Sequence, residues 1–345
     1  MWRREREAEW PAAWNIGGMP VQSEPKTVTA RMTMARTIRQ QNTPGSTRGP
    51  LRVAAVQMKF APTIAQNLAK IEHLLGEAAR RRADAVLLPE CATTGYAYDY
   101  SRLKPAEIAS ALATVGRMAV GFRMNVLVGS PVFRRGKLHN ALVVFDRRGA
   151  AVHCYAKCHL HELDRKHFAP GNAVALFEID GICATAVICH ERRYPELVRL
   201  AVMAGARILF HPNAGMDSLA VSRRKRGGRD GIAARAFENA IYYVFANSVG
   251  RQGDGKWSAG DSKIVGPDER VLGLADNRSE AVIVANLDLS KATGVYAQRG
   301  LTRPPFLAPH WQRMVAAVRR QASRCSLAYD LPTIGDGCRR CCTTT

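Results

Sequence analysis

The sequence predicts a layered α/β fold in which mixed β-sheets are covered by helices. Short apolar runs with the length of buried strands alternate with stretches whose apolar residues recur at helical spacing. The order strand–helix–strand–helix, followed by a hairpin, occurs twice along the chain. The chain has 345 residues, of which 47% are hydrophobic, so it can build one large domain or two modest ones with a substantial core.

The first half of the pattern begins at Leu51. Pro62 opens a helix, because the apolar residues from Ile64 to Ala78 recur at three- and four-residue intervals. A second amphipathic helix is predicted over 105–124. The predicted strands of this half are 52–58, 85–88, 126–129, 141–145 and 151–156.

The second half follows a polar, histidine-rich loop that ends at Pro170–Gly171. It repeats the alternation of apolar runs and amphipathic stretches, and a final helix is predicted close to the end of the chain. The predicted strands are 174–179, 182–188, 207–210, 241–246, 262–265 and 281–287, and the predicted helices are 194–204, 229–239 and 309–321.

The two ends of the chain lack a core pattern. Residues 1–50 are rich in Arg, Glu, Thr, Gln and Pro, and are predicted to be a disordered basic extension. Residues 309–345 are predicted to be a helix followed by a tail rich in cysteine and arginine. The tail contains Cys338 and Cys341 in a CxxC arrangement, but no second pair lies at metal-binding spacing, so no zinc site is expected. The globular core pattern therefore begins at Leu51 and lies between these two ends.

Charge and composition limit the possible partners. The net charge of +21 raises the question of nucleic-acid binding, but the arginines are scattered and no basic strand is interleaved with aromatic residues. Only weak, nonspecific anion binding is expected. No apolar run approaches the ~20 residues of a membrane span, and the N-terminus has no apolar signal segment. With nine cysteines, an odd number, the chain is expected to be a cytoplasmic protein with reduced thiols.

The stretch from Val187 to Glu196 is the strongest candidate for a catalytic centre. An apolar run ends at Cys189, and a turn and a helix follow. A cysteine at such a junction can sit on a strained elbow with its sulfur exposed to a substrate. The alternative is that Cys189 is a small buried hydrophobic residue, as most single cysteines are.

Two further residues follow predicted strands in the same way. Glu90 comes after the strand at 85–88, and Lys157 comes after the strand at 151–156. Side chains at the carboxyl ends of strands converge on one crevice. There the carboxylate can accept the thiol proton, the ammonium can lower the thiol pKa and stabilise an oxyanion, and the thiol can attack a carbonyl. The alternatives are a capping role for Glu90 and a surface position for Lys157.

Three ordered segments resemble the motifs of the nitrilase, or carbon–nitrogen hydrolase, superfamily. They are Val86–Glu90 with Thr94–Tyr96, Tyr155–Leu160 and Cys189–Glu196. The resemblance covers about residues 51–308. It implies an α-β-β-α sandwich, a homodimer or higher oligomer, and a Glu90–Lys157–Cys189 catalytic set that hydrolyses non-peptide C–N bonds without metal or cofactor.

The sequence departs from the family pattern at two positions. A second glutamate is common seven residues after the lysine, but Asp164 stands there and Glu162 is nearby, so either is a candidate second acid. The residue two after the cysteine is usually Asp, and here it is Glu191. Neither departure removes a member of the catalytic set, so the resemblance still implies an active enzyme.

The candidate residues for binding the substrate or its oxyanion are His190, Arg192, Tyr96 and Asn213. True nitrilases typically carry Cys-Trp-Glu, whereas His190 follows the cysteine here, which favours an amide or carbamoyl substrate. The first interpretation is an amidase that releases ammonia or an amine. The alternative is an N-carbamoyl amino acid or N-carbamoyl amine hydrolase, because Arg192 and Arg193 resemble a pair that binds a substrate carboxylate in such enzymes. A catalytically inactive scaffold is the third possibility.

Overall fold

The structure is a computed structural model that describes residues 50–96, 99–224, 231–252 and 255–325. Two mixed sheets lie face to face, and helices cover their outer surfaces. The predicted layered α/β fold, an α-β-β-α sandwich, is confirmed. The predictions made for residues 1–49, and for the cysteine-rich tail beyond residue 325, lie outside the described residues.

The described residues form fifteen strands and seven α-helices. The strands are β1 (Leu51–Gln57), β2 (Ala85–Leu87), β3 (Asn125–Arg134), β4 (Lys137–Phe145), β5 (Ala151–Ala156), β6 (Phe177–Ile179), β7 (Ile182–Ala186), β8 (Ile208–Asn213), β9 (Met216–Asp217), β10 (Tyr242–Asn247), β11 (Val249–Arg251), β12 (Trp257–Ala259), β13 (Lys263–Val265), β14 (Val271–Leu274) and β15 (Ala281–Leu287). The helices are α1 (Ile64–Arg80), α2 (Pro105–Phe122), α3 (Pro195–Met203), α4 (Leu219–Arg224), α5 (Ile232–Asn239), α6 (Val295–Arg299) and α7 (Ala308–Cys325).

The two large sheets have matching architectures. The first has the order β15-β1-β2-β3-β4-β5, and the second has the order β14-β13-β10-β8-β7-β6. In each sheet three central strands run parallel, and antiparallel strands complete both edges. This symmetry is what the repeated order of strands and helices in the sequence predicts.

The alternation of side chains along each strand creates the layers. In β1, Ala54 and Val56 belong to the cluster that packs under α1 and α2, whereas Val53 and Ala55 belong to the cluster between the two sheets. Successive strand residues point to opposite faces, so a strand buried on both faces reads as a continuous apolar run. A third cluster lies between the second sheet and the helices α3, α5 and α7.

The boundaries of several elements differ from the predicted ones. The strands β3 and β4 extend toward each other across a turn at Arg135–Gly136 and form one long hairpin, because their polar outer ends still pair. The strand predicted to reach Ile188 ends at Ala186, and a 3-10 helix spans Cys189–Arg193. The sequence did not predict β9, β11, β12 and β14, nor α4 and α6, which are all six residues or shorter. The final helix is confirmed as α7. Within the described residues, no helix combines the length and apolar character needed to cross a membrane.

Candidate active site

Glu90, Lys157 and Cys189 lie at the same edge of the sandwich. Glu90 follows β2, and Cys189 follows β7, which is parallel to its neighbour β8. Lys157 follows β5, which runs in the direction of β3 because each is antiparallel to the intervening β4. The charges of Glu90 and Lys157 both act on the Cys189 thiol. The structure therefore brings together the three residues that the sequence placed at strand ends.

The Glu90 carboxylate is fully buried and fixed from three directions. Its Oε1 accepts hydrogen bonds from Lys157 Nζ at 2.8 Å and from Asn140 Nδ2 at 2.7 Å. Its Oε2 accepts the backbone N–H of Ala214 at 3.0 Å. A glycine is required beneath this turn, because a Cβ at Gly129 would lie 2.2 Å from the carbonyl oxygen of Pro89.

The Lys157 ammonium is also fully buried, and it contacts two carboxylates. Its Nζ lies 2.8 Å from Glu90 Oε1 and 2.7 Å from Asp164 Oδ2. Burial opposes the positive charge, but the carboxylates of Glu90 and Asp164 outweigh it and raise the pKa of Lys157 well above its ordinary value. Lys157 is therefore a permanent cation in the resting site, and it is suited to stabilise a developing negative charge.

The backbone of Cys189 adopts the left-handed conformation, with φ of +50°. This conformation is strained for a residue with a side chain, and it is the expected geometry of a nucleophile elbow. The elbow is held from below by His211, whose Nε2 donates to the carbonyl oxygen of Cys189 at 3.0 Å. The ring of His211 accepts a hydrogen bond from the Tyr243 hydroxyl at 2.9 Å, which fixes this tautomer.

The pKa of the Cys189 thiol is raised to about 12, first by burial and then by the charge of Glu90. Lys157 acts in the opposite direction, as the sequence predicted, but it does not outweigh these two effects. The resting group is therefore a neutral thiol at physiological pH. A nucleophilic role for this thiol would therefore require a base that removes the proton, and the Glu90 carboxylate is adjacent.

The burial and contacts of the two candidate second acids, Asp164 and Glu162, are different. Asp164 is 1% exposed and accepts hydrogen bonds from the Tyr96 hydroxyl at 2.6 Å and from the backbone N–H of His161 at 2.9 Å, in addition to its ion pair with Lys157. Burial opposes its charge, but Lys157 and these donors lower the pKa of Asp164 below its ordinary value. Glu162 is exposed. Of the two candidate second acids, only Asp164 contacts the buried Lys157.

The four candidate binding residues Tyr96, His190, Arg192 and Asn213 all line a cavity of about 220 Å³ beside Cys189. The Tyr96 hydroxyl donates to Asp164, and the Asn213 amide donates to Asn247 Oδ1 at 2.8 Å. Burial and the neighbouring His161 lower the pKa of His190, so its ring is neutral at pH 7. A cavity of this volume accommodates a small molecule.

Sequence reasoning did not identify several residues that organise this site. Asn140 and the backbone N–H of Ala214 hold Glu90, His211 holds the cysteine elbow, and Glu191 binds several backbone groups, as described below. The roles of Asn140 and His211 depend on contacts between residues far apart in the chain, so no local signal in the sequence marks them. Within the described residues, no group of three or more His, Cys, Asp or Glu side chains is arranged to hold a metal ion.

Comparison with known proteins identifies the family. The family model described as carbon-nitrogen hydrolase matches residues 52–297, which is most of the chain. The chain belongs to the carbon–nitrogen hydrolase family. The predicted family, fold and reaction class, hydrolysis of a carbon–nitrogen bond, are thereby confirmed.

Named relatives support the same assignment. This carbon–nitrogen hydrolase is 29% identical to the 2-oxoglutaramate amidase of Bacillus subtilis over 67% of its own length and 87% of the relative's. It is 32% identical to a nitrilase of Pyrococcus abyssi over 69% of its length and 90% of the relative's. Among solved structures, an amidase of the nitrilase superfamily from Nesterenkonia AN1 superimposes with a TM-score of 0.66 at 23% identity, covering 76% of this chain and 98% of the other. This structural likeness shows the shared fold.

Proposed function

We propose that this carbon–nitrogen hydrolase is an amidase that uses Cys189 as its nucleophile, Glu90 as its general base and acid, and Lys157 as its oxyanion-stabilising cation. One observation carries the proposal. Two fully buried, oppositely charged side chains, joined at 2.8 Å, act on a thiol on a left-handed elbow beside a small cavity. Burying an ion pair is costly, so it indicates a functional requirement.

The first half of the reaction forms a thioester. Glu90 accepts the Cys189 proton as the sulfur attacks the carbonyl carbon of the amide. The carbonyl oxygen becomes an oxyanion, which the Lys157 ammonium and the backbone N–H of His190 stabilise. Glu90 then gives the proton to the leaving nitrogen, the C–N bond breaks, and ammonia or an amine departs. The acyl group remains on the sulfur.

The second half of the reaction regenerates the thiol. Glu90, again a carboxylate, accepts a proton from a water molecule that attacks the thioester carbonyl. The C–S bond breaks, the carboxylic acid product leaves, and the proton returns to Cys189. The hydrogen bonds from Asn140 and from the Ala214 N–H keep Glu90 in place for both proton transfers. Asp164 serves as the second acid by anchoring Lys157 through an ion pair at 2.7 Å.

The mouth of the cavity supports a substrate that carries a carboxylate. Arg192 and Arg193 both line the cavity that contains Cys189. A guanidinium group binds a carboxylate through two parallel hydrogen bonds. A small amide with a carboxylate at its far end is therefore the proposed substrate class, and the relative named 2-oxoglutaramate amidase is consistent with it. An N-carbamoyl amino acid has the same combination of groups and is the second candidate.

The proposal extends to assembly and location. Large apolar side chains are exposed on the outer helices, including Phe237 on α5 and Tyr296 on α6, which are 50% and 52% exposed. Such residues are typical of a surface that is covered in a homodimer or higher oligomer. Cys91, Cys183 and Cys189 are free thiols, which supports a reducing compartment such as the cytoplasm.

The test is ammonia release from a panel of small amides, N-carbamoyl amino acids and nitriles, with the wild-type chain and with Cys189→Ala. We expect turnover of at least one amide bearing a carboxylate, and we expect the variant to fold normally but to lose turnover. Mass spectrometry of the wild type under single-turnover conditions should detect an acyl group on Cys189. Comparable turnover by Cys189→Ala would contradict the proposal, and hydrolysis of nitriles alone would contradict the amidase assignment.

A further inference from the structure

The buried carboxylate of Glu191 takes no part in the mechanism described above. It is fully buried at the second residue after the nucleophile. Its Oε1 accepts the backbone N–H of Cys158 at 2.6 Å and that of His159 at 3.1 Å, and its Oε2 accepts the backbone N–H of Ile188 at 2.8 Å. The Tyr155 hydroxyl lies 2.9 Å from both oxygens. Four donors thus surround one carboxylate.

These donors come from both sheets of the sandwich. Cys158 directly follows Lys157 at the end of β5, in the first sheet, and Ile188 directly precedes Cys189 after β7, in the second sheet. Glu191 is therefore bonded to the residues adjacent to both catalytic side chains. It joins the backbone that carries the cation to the backbone that carries the nucleophile.

The partners of Glu191 just described are neutral N–H and O–H groups, in contrast to Lys157, which contacts Glu90 and Asp164. Burial raises the pKa of Glu191, whereas the hydrogen bonds from the backbone and from Tyr155 act against that rise. A carboxylate that accepts several backbone N–H groups in a buried site forms strong, directional hydrogen bonds. Its geometry is consequently well determined, and small changes in its length or charge should move its partners.

We propose that Glu191 is a positioning residue that sets the separation of Lys157 and Cys189 across the two sheets. This inference rests on the proposed roles of those two residues. The apolar cluster between the sheets holds the sandwich together independently of Glu191, so its loss should disturb the alignment of the site more than the fold. A displacement of about 1 Å in a catalytic group can reduce a rate by roughly 10²-fold.

Three variants test the proposal. Glu191→Gln replaces one acceptor oxygen by an NH2 group that faces backbone N–H donors. Glu191→Asp keeps the charge but shortens the side chain by one methylene. Tyr155→Phe removes a single donor and leaves the aromatic ring in the core. Leu75→Ala is the matched control, because Leu75 is a fully buried residue of α1 in the outer core cluster, and its truncation reduces stability without touching the site.

The measurements are kcat and KM for the best amide of the substrate panel, the melting temperature, and the rate at which iodoacetamide alkylates Cys189 as a function of pH. For Glu191→Gln we expect kcat to fall by roughly 10²-fold with KM changed by less than about threefold. We also expect a shift in the pH dependence of alkylation. The distance between Lys157 and Cys189 should change in this variant, and the charge of Lys157 affects the pKa of the thiol. Glu191→Asp should recover part of kcat, and Tyr155→Phe should lose less than Glu191→Gln. Leu75→Ala should lower the melting temperature with kcat intact.

Two outcomes would overturn the inference. One is a kcat for Glu191→Gln within about threefold of the wild type. The other is an unchanged pH profile of alkylation in all three variants, with activity lost only in proportion to the melting temperature. Failure of the proposed function would look different, because the wild type itself would then show neither turnover of any amide nor an acyl group on Cys189. If Glu191→Gln does not fold, Tyr155→Phe and Glu191→Asp decide between these outcomes by the same measurements.

Discussion

The charged and basic residues of the candidate active site fall into two groups, the floor and the mouth, which differ in how deeply their side chains are buried. The floor is the set of four charged side chains of the site that are almost completely buried: Glu90, Lys157, Asp164 and Glu191. The mouth is the set of basic side chains that line the cavity beside Cys189: His161, His190, Arg192 and Arg193. The floor residues are at most 1% exposed, whereas the mouth residues are half-buried or exposed.

In the proposed mechanism, this difference assigns the reaction to the floor and the choice of substrate to the mouth. Each floor residue has at least two hydrogen-bond or ion-pair partners at 2.6–3.1 Å, so its position is fixed before a substrate arrives. Preorganised charge of this kind stabilises a transition state without reorganisation. The mouth residues lie on the histidine-rich loop and on the 3-10 helix after Cys189, where substitution should affect binding more than chemistry. Substitutions in the two regions test this division.

The largest effect among the floor residues is expected for Glu90→Gln. The amide cannot accept the thiol proton, so kcat should fall by about 10²–10⁴-fold, the usual contribution of a general base. The thiol itself should nevertheless ionise more easily. Burial is the first cause of the raised pKa of Cys189, but the charge of Glu90 is the second, and the substitution removes it while Lys157 remains. The alkylation midpoint should therefore move to lower pH.

The two measurements on Glu90→Gln are steady-state turnover and the pH dependence of iodoacetamide alkylation at Cys189. Glu162→Gln is the matched control, because Glu162 is exposed and should leave both quantities unchanged. An alkylation midpoint that stays in place or rises in Glu90→Gln would show that Glu90 does not oppose ionisation of the thiol. The charge of Glu90 would then not be a cause of the raised pKa of Cys189.

A smaller effect is expected for Asp164→Asn. Removing one partner of a buried ion pair costs about 3–5 kcal/mol, and the lower end applies here because Lys157 keeps its contact with Glu90. We therefore expect a lower melting temperature together with a loss of kcat, since Lys157 loses one of its two anchors. Equal melting temperatures for the wild type and Asp164→Asn at pH 7 would contradict this role of Asp164.

The pH dependence sharpens the prediction for Asp164. Although burial opposes its charge, Lys157 depresses its pKa in the folded chain below that of the unfolded chain. A depressed carboxyl pKa contributes stability that is present above the unfolded value, about 4, and is lost as the pH falls through the folded value. The difference in melting temperature between the wild type and Asp164→Asn should therefore be full at pH 7 and shrink in strong acid. A difference that grows on acidification would contradict the assigned sign.

The sequence predicted the proposed catalytic set better than the residues that support it. Glu90, Lys157 and Cys189 each follow an apolar run, and the rule that strand ends converge is sufficient to bring them together. The hydrogen bonds that fix them join residues far apart in the chain, such as Asn140 with Glu90 and Ala214 with Glu90. No local pattern encodes such contacts, because they depend on the register between strands.

The errors in the fold have a similar origin. The missed strands β9, β11 and β12 form a small sheet of their own, and none is longer than three residues. The missed strand β14 exposes apolar residues at an edge, so its pattern lacks the burial that marks a core strand. In contrast, β5 was predicted to the residue, because a turn precedes it and Lys157 ends its apolar run. Periodicity identifies elements that bury a full face, and it fails where pairing alone holds a short strand.

The smallest effect on chemistry, and the most selective one, is expected at the mouth. Arg192 lines the cavity, and its backbone carbonyl accepts a hydrogen bond from Arg235 Nε at 3.2 Å, so the main chain there is held independently of the Arg192 side chain. Arg192→Ala should therefore leave kcat for a neutral amide almost unchanged. If the guanidinium binds the substrate carboxylate, KM for an acidic amide should rise by the equivalent of about 1.5–3 kcal/mol, the range for charged hydrogen bonds.

Arg193→Ala is the matched comparison, since Arg193 is adjacent and more exposed, and it should change KM less. The measurement is KM for an acidic amide and for its neutral counterpart in each variant. Equal changes for both substrates, or none for either, would exclude Arg192 from recognition and leave the choice of substrate to the walls of the cavity.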